Sequence, residues 1–209
     1  MRKSLSTAAT LAAAVMLAFF PTACNRQPQA RRYSEIAFRS GGNPMDAMGA
    51  AIHISWTVPK EWAEQPGGDP FSLASFLAPD PALTNTDYMD PKAVEVSITR
   101  LGDSGGGIPA NISLWMKQVK IPASPDLVSD VLSRAESLKV ATGQMGIAVD
   151  LTGVMAGDIM QTTSIIGVIL RGDDYTVFVK AMGDRARLIK LKPQILAFCR
   201  TMSISGGKK

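Results

Sequence analysis

Residues 164–182, SIIGVILRGDDYTVFVKAM, contain two runs rich in β-branched and aromatic residues on either side of a short polar segment. The runs are residues 164–171 and 175–182, and Gly172-Asp173-Asp174 separates them. Short polar segments that contain glycine reverse the chain between antiparallel strands. The stretch therefore predicts a β-hairpin, to which strands from earlier in the chain can add.

Strand patterns also occur before this hairpin. In residues 52–58 (IHISWTV), apolar and polar residues alternate, which is the period of a half-buried strand. Residues 93–101 (AVEVSITRL) alternate in the same way. Further strands are predicted at residues 33–39, 71–77 and 146–151.

Three helices are predicted. The first spans residues 108–119, and Ser124-Pro125-Asp126 begins the second with an N-cap, a first-turn proline and an early acid. The apolar residues of the second helix recur at helical spacing and are Leu127, Val128, Val131, Leu132, Ala135 and Leu138. The third begins at Gly183-Asp184 and contains Pro193, which is predicted to kink or split it. Its predicted buried face comprises Leu188, Leu191, Ile195, Leu196, Phe198, Cys199 and Met202.

The elements therefore follow one another as strands, helices, strands and a last helix. Short strands that are joined by hairpins and loops favour antiparallel pairing. The sequence predicts an α+β fold in which helices cover a mainly antiparallel sheet.

The first residues of the chain predict an export signal. Arg2 and Lys3 precede an apolar run at residues 11–20, and small residues follow. Pro21-Thr22-Ala23-Cys24 resembles the signal box of bacterial lipoproteins, in which the cysteine becomes the lipidated N-terminus. Cleavage after Ala23 without lipidation is the alternative.

The predicted organisation follows from this leader. We expect a signal peptide at residues 1–23, a lipidated Cys24 with a flexible tether at residues 24–50, one globular domain at residues 51–204 and a disordered tail at residues 205–209. Residues 25–32 are polar and contain a proline, as tethers do. The expected location is the cell envelope, on the periplasmic face of a bacterial membrane, with the lipid anchor as the membrane contact.

The charge of the chain argues against a nucleic-acid partner. The chain has 22 Lys and Arg, 18 Asp and Glu, and a net charge of +4. Two of the positive charges, Arg2 and Lys3, lie in the predicted leader, which contains no acidic residue. The remaining Lys and Arg are scattered and form no basic stripe with interleaved aromatic residues.

Residues 102–106, GDSGG, reproduce the loop around the nucleophile of chymotrypsin-like proteases. Such a serine needs a histidine base and an orienting carboxylate, and His53 is the only histidine of the chain. His53 lies in the middle of a predicted strand, and a predicted helix rather than a strand follows Ser104. The sequence therefore predicts no protease and no catalytic residue.

The glycine run has two other interpretations. Asn111, Trp115 and Gln118 lie at spacing i, i+4 and i+7 and share a helix face. In the structural interpretation, Trp115 fills the core while the two amides bond loop backbone near Gly105-Gly106-Gly107. In the functional interpretation, the glycine loop offers N–H groups to an anion at the helix N-terminus. The candidate binding residues are Gly105, Gly106, Gly107, Asn111, Trp115 and Gln118.

No metal site and no cofactor are predicted. His53 has no histidine or cysteine partner with which to build a zinc site. Cys199 lies in an apolar segment and is predicted to be a buried small hydrophobe. Asp80, Asp87 and Asp90 lack the EF-hand spacing, so a solvated loop is the simpler interpretation.

Motifs across residues 52–204 resemble those of an uncharacterised, planctomycete-type family of envelope proteins. The matching residues are Trp56, Pro59 and Trp62 as W-x-x-P-x-x-W, then Gly105-Gly106-Gly107, Asn111, Trp115, Gln118 and Phe178-Val179-Lys180. That family often has arginine where this chain has Leu114. In the order of its elements, the chain also resembles the PsbP-type α/β/α sandwich. The resemblance implies a sandwich fold and an envelope location, and it implies no activity.

These features favour a noncatalytic envelope module that is anchored to the membrane and binds a partner protein of the envelope or supports an assembly. One alternative is a serine-dependent hydrolase that uses Ser104 and His53. The other is a carrier that binds an anionic small ligand at Gly105-Gly106-Gly107.

Overall fold

The computed structural model describes residues 29–35, 52–66, 72–80, 93–102, 106–157, 159–172 and 175–206. The strands within these residues are β1 (Gln29–Glu35), β2 (Ile52–Val58), β3 (Ala63–Glu64), β4 (Ser72–Ala78), β5 (Val94–Gly102), β6 (Glu136–Lys139), β7 (Met145–Asp150), β8 (Met155–Ala156), β9 (Ile159–Met160), β10 (Thr163–Arg171), β11 (Tyr175–Asp184) and β12 (Ser203–Ser205). The helices within these residues are α1 (Ile108–Gln118), α2 (Pro125–Ser133) and α3 (Arg185–Arg200).

The main sheet has seven strands in the order β3-β4-β5-β11-β10-β7-β6. The predicted hairpin forms its centre: β10 pairs antiparallel with β11 from Thr163 opposite Asp184 to Arg171 opposite Thr176. A smaller sheet has the order β1-β2-β12, and β8 pairs with β9. Every strand pairing among the described residues is antiparallel, which confirms the predicted α+β class.

Helices cover both faces of the main sheet because the side chains of β11 alternate between two hydrophobic clusters. Val177, Val179 and Ala181 pack in the cluster that also contains residues of α3 and β2. Phe178 packs in the cluster that contains residues of α1 and α2. Each large apolar side chain that is fully buried in this way contributes about 1.5–3 kcal/mol. The result is an α/β/α sandwich with α3 on one face and α1 and α2 on the other.

Helix α2 begins as predicted but ends earlier. The Ser124 hydroxyl oxygen accepts a hydrogen bond from the Leu127 N–H at 3.3 Å, which is an N-cap. The helix ends at Ser133, so the prediction that Ala135 and Leu138 continue its apolar stripe is wrong. Leu138 instead lies in β6, opposite Gly146 of β7, and is buried there at the edge of the sheet.

Helix α3 runs without a break through Pro193, so the predicted split is wrong. A proline inside a helix removes the hydrogen bond to the carbonyl four residues earlier, here that of Ile189. Pro193 and Ile189 are both exposed, so water can bond the carbonyl that the proline leaves without a partner. The Asp184 side chain caps the helix by accepting from the Arg187 N–H at 3.1 Å.

Both ends of the described chain pair with β2. Strand β1 lies inside the segment that the sequence predicts as a tether, and it begins at Gln29, four residues before the strand predicted at residues 33–39. Residues 36–39 lie outside the described residues. Strand β12 was not predicted, and it includes Ser205, the first residue of the predicted tail. The domain limits that the sequence predicts stay a prediction.

Candidate functional site

Two glycines with positive φ shape the start of α1. Gly106 has a φ of 78° and Gly107, the N-cap residue, has a φ of 73°, which is a region that side chains with a Cβ rarely adopt. No side chain caps this end, and the first turn contains a proline and no acidic residue. The positive end of the helix dipole is therefore not compensated from within the first turn. Gly105 of the predicted loop lies outside the described residues.

Asn111 braces this helix start, as the structural interpretation of the sequence predicts. Its Nδ2 donates to the Gly107 carbonyl at 2.8 Å, and its backbone N–H donates to the same oxygen at 3.2 Å. Because both bonds converge on the N-cap residue, the side chain holds the glycine turn against the first turn of α1.

The Trp115 side chain extends from α1 into the core. It is 4% exposed, and its ring meets the Phe178 ring edge-on, with 6.2 Å between ring centroids. The ring covers Gly167 of β10 so closely that a Cβ at this position would overlap three atoms of the indole. Gly167 therefore provides the space that the indole occupies, and Trp115 contributes packing rather than an exposed contact.

The hydrogen bond that Gln118 makes differs from the predicted one. Its side chain is exposed, and its Oε1 accepts a hydrogen bond from Lys180 Nζ at 3.3 Å rather than bonding loop backbone. Leu114, three residues after Asn111 and four before Gln118, is 53% exposed. The outer surface of α1, defined here as Asn111, Leu114, Lys117 and Gln118, therefore combines one large apolar side chain with amide and basic groups.

A small cleft of about 10 Å³ opens between the start of α1 and the hairpin end of β10 and β11. Space of this size admits roughly one water-sized group. The cleft is lined by Gly107, Ile108, Asn111, Ile169, Arg171, Thr176 and Phe178. It is too small to enclose an organic ligand, and it can receive only the end of one.

Arg171 and Thr176 are cleft residues that sequence reasoning missed. They face each other across the hairpin, one residue from each strand. Their pairing could have been read from the hairpin register, but the position of α1 over them depends on tertiary packing. Asp173 and Asp174, which adjoin them in sequence, lie outside the described residues.

The two residues of the hydrolase alternative are not brought together within the described residues, because Ser104 lies outside them. His53 is exposed on β2, where its backbone pairs with Ser34 of β1 and Ser205 of β12. Cys24, the predicted lipidation site, also lies outside the described residues. Both the hydrolase and the lipid anchor therefore stay hypotheses.

Cys199 is a buried apolar residue, as predicted. It is 0% exposed in the cluster beneath α3, and burial raises the pKa of its thiol to about 12. A thiol reacts as its thiolate, and this one is protonated at neutral pH and shielded from solvent. Cys199 therefore contributes packing to the core.

The two tryptophans of the W-x-x-P-x-x-W pattern are buried as well. The Trp62 ring packs against Phe198 with 4.9 Å between centroids and against Phe76 with 6.2 Å. Its Nε1 donates to Gln194 Oε1 at 3.1 Å. Since Trp56 is also buried, the pair forms no exposed aromatic patch.

A network of charged groups joins α3 to the sheet on the opposite face from α1. Lys192 Nζ lies 2.7 Å from Glu136 Oε1 and 2.9 Å from Asp150 Oδ2. Burial raises the pKa of Asp150, but hydrogen bonds from Thr152 and Lys192 outweigh burial and hold that pKa below the usual 3.8. The hydrogen bond to Glu136, with smaller effects of Asp150, raises the pKa of Lys192 above the usual 10.5 despite partial burial.

The described residues contain no group of three or more His, Cys, Asp or Glu side chains arranged to hold a metal ion. Asp80, one of the three aspartates considered from the sequence, lies 3.4 Å from Lys190 and 3.9 Å from Arg187, and Asp87 and Asp90 lie outside the described residues.

No helix within the described ranges combines the length and the apolar character that crossing a membrane requires.

No protein-family model matches this chain, and no curated protein matches it. The resemblance to a planctomycete-type family therefore stays a prediction. Among solved structures, the chain is similar to cyanobacterial PsbP (CyanoP) from Synechocystis sp. PCC 6803, at 12% identity and a TM-score of 0.43, over 90% of this chain and 99% of that chain. It is also similar to LpqN, which is involved in cell envelope biogenesis of Mycobacterium tuberculosis, at 11% identity and a TM-score of 0.45, over 84% of this chain and 91% of that chain. At such identities and TM-scores, the α/β/α arrangement stands on the strand order and helix packing of this chain itself.

Proposed function

We propose that this protein is a noncatalytic binding module of the bacterial cell envelope, anchored through a lipid on Cys24, and that it meets a protein partner through the outer surface of α1. The N-terminal sequence supports the anchor, since a basic start, an apolar run and small residues lead to Cys24. The observation that supports the binding role is the exposure of the Leu114 side chain. It is exposed between two amide side chains, on a helix whose opposite side is fixed by the burial of Trp115.

The physical case for this surface is one of preorganisation. Trp115, Met116 and Ile112 of α1 are buried in the core, so the helix backbone is held rigidly on the sheet. A partner that covers Leu114 would not have to order the helix first, which lowers the entropic cost of association. Lys117 and Gln118 beside it supply the polar rim that protein interfaces have.

Membrane attachment is tested by fractionation of cells that produce the full chain or its Cys24→Ser variant. We expect the wild type in the membrane fraction, with an acylated N-terminal cysteine by mass spectrometry, and the variant released from the membrane. One acyl chain alone binds membranes only marginally, so retention implies the multiple acylation typical of lipoproteins. An unacylated, freely released wild-type product would contradict the anchor.

The binding surface is tested by crosslinking in intact envelopes, followed by purification of the full chain. Leu114→Asp places a charge at the centre of the proposed contact and should weaken capture of a specific partner by about tenfold or more, as loss of an interface anchor does. Ile189→Asp on α3 is the matched control, because Ile189 is 47% exposed on the helix at the opposite face of the sheet. Equal capture by the two variants would exclude α1 as the binding surface.

The noncatalytic part of the proposal has its own test. A fluorophosphonate probe reacts with activated serines, and the wild-type chain should remain unlabelled. Labelling that Ser104→Ala abolishes would instead establish the hydrolase alternative.

A further inference from the structure

Helix α3 is basic and contains neither aspartate nor glutamate. Its cations are Arg185, Arg187, Lys190, Lys192 and Arg200. One side of the helix is buried in the core, and the exposed residues on the other side are Ala186, Ile189, Lys190, Pro193, Ala197 and Arg200. The exposed side therefore combines apolar groups with positive charge, and basic amphipathic helices are typical of membrane surfaces.

Ion pairs within the protein compensate only part of this charge. Arg187 and Lys190 share a single carboxylate, that of Asp80, at 3.9 and 3.4 Å. Lys192 contacts two carboxylates, as described above. The Arg185 Nε donates to a backbone carbonyl at 2.6 Å, which is a neutral acceptor. The five cations of α3 thus outnumber the three carboxylates that these contacts bring to the helix.

The chain that follows the predicted anchor enters the domain beside the C-terminal end of α3. Strand β1 begins at Gln29, which pairs with Val58 of β2. The adjacent Thr57 N–H donates to Oγ1 of Thr201, the C-cap residue of α3, at 3.0 Å. Gln29 comes five residues after Cys24, and five residues span at most about 18 Å. A lipid on Cys24 would therefore hold this end of α3 close to the bilayer.

From the charge of α3 and the short path to the anchor, we infer that the exposed side of α3 lies on anionic phospholipid headgroups of the bilayer that holds the protein. Lys190 and Arg200 meet the lipid phosphates, because basic side chains are attracted to anionic headgroups. Ile189, which is 47% exposed, enters the headgroup layer beside them. This inference rests on the lipid anchor of the proposed function and adds a lipid class and an orientation to it. The orientation leaves α1, on the other face of the main sheet, accessible to a protein partner.

Fluorophores that respond to the polarity of their surroundings test the contact when one is placed on each face. Ile189→Cys carries the fluorophore on α3, and Leu114→Cys is the matched control on α1, since the two parent side chains are 47% and 53% exposed. Cys199 should escape labelling because its thiol is buried, with a pKa raised to about 12. The labelled proteins are isolated from membranes and reconstituted into two kinds of vesicle. One contains equal parts of phosphatidylcholine and phosphatidylglycerol, and the other contains phosphatidylcholine alone.

We expect the emission from position 189 to shift to shorter wavelength in the anionic vesicles and much less in the neutral ones. Emission from position 114 should be the same in both. High salt should reverse the shift at position 189, since screening shortens the reach of the charges. The inference is overturned if the two positions respond equally, if position 189 does not respond, or if neutral vesicles give the same shift as anionic ones.

Paired charge variants test the role of the named cations. Lys190→Gln with Arg200→Gln removes two exposed cations from α3, and Lys117→Gln with Lys120→Gln removes two exposed cations at α1 and its C-terminal end. The first pair should lower the ratio of docked to undocked α3 by about tenfold or more in anionic vesicles, as measured by the emission from position 189. The second pair should leave the ratio unchanged. Equal effects of the two pairs would contradict a specific contact of α3.

Mass spectrometry of Cys24 in the same samples separates this inference from the anchor itself. An acylated protein whose label at position 189 stays in water refutes the contact of α3 and leaves the anchor established. An unacylated Cys24 refutes the anchor, and with it the inference. Partner capture through Leu114 is measured independently of both results.

Discussion

Replacing Trp115 by alanine should lower the free energy of unfolding by about 3–5 kcal/mol, which is the range for loss of a buried tryptophan. The indole covers Gly167 and meets Phe178 edge-on, so the variant leaves a cavity between α1 and the central strands. Urea denaturation of the Cys24→Ser chain measures the change. A loss below about 1 kcal/mol would mean that the surrounding core closes the cavity, contrary to tight packing of the indole on Gly167 and Phe178.

The companion experiment adds a methyl group under the ring. Gly167→Ala should cost about 1–3 kcal/mol or more in the wild type, because the new Cβ overlaps the indole. With Trp115→Ala already in place, the methyl group enters the vacated space and should cost much less. Neighbours that share a cavity couple by about 0.5–3 kcal/mol, so the two costs should not add. Gly153→Ala is the matched control, since a Cβ there meets nothing within 4 Å. Strict additivity would contradict the proposed contact.

The second large effect is expected at Lys192. Lys192→Met keeps the aliphatic stem but removes the hydrogen bonds to Glu136 and Asp150, and it should cost about 1–3 kcal/mol at neutral pH. Lys190→Met on the same helix is the control: its ammonium group is mostly exposed, so its loss should cost less than about 1 kcal/mol. Equal costs for the two variants would show that the network contributes no more than a surface ion pair.

The pH dependence of stability follows from the directions of the two pKa shifts. The pKa of Asp150 is lowered on folding, so its contribution is present above the usual 3.8 and is lost as pH falls through the folded value. The pKa of Lys192 is raised, so its contribution is present below the usual 10.5 and is lost as pH rises through the folded value. Lys192→Met should therefore remove the alkaline loss that this lysine causes and make the acid loss shallower. Unchanged profiles at both ends would contradict the assignment.

Patterns of residues close in sequence predicted much of the fold. The hairpin of β10 and β11, the alternation of β2 and the serine N-cap of α2 depend on residues close in sequence, and all three are confirmed. Leu138 shows where such reasoning fails. Its spacing fits a helix, but a strand forms because β7 is available as a partner, and helical periodicity does not encode that partner.

In the candidate site, too, the features set by neighbouring residues were predicted, and those set by tertiary packing were not. The bond from Asn111 to Gly107 and the burial of Trp115 are local consequences of a helix that follows glycines, and the sequence predicted both. The contact between Gln118 and Lys180 and the approach of Thr176 to the helix start join residues far apart in the chain. They depend on where α1 packs across the sheet, and no pattern in a single sequence predicts that position.

The small sheet of β1, β2 and β12 lies on one side of the main sheet. Strand β1, where the described chain begins, pairs with β2, and β2 packs on the α3 side of the main sheet. The polypeptide consequently enters from one broad side, and α1 occupies the other. If the leader holds this protein against a bilayer, the first described strand after that leader lies across the main sheet from α1.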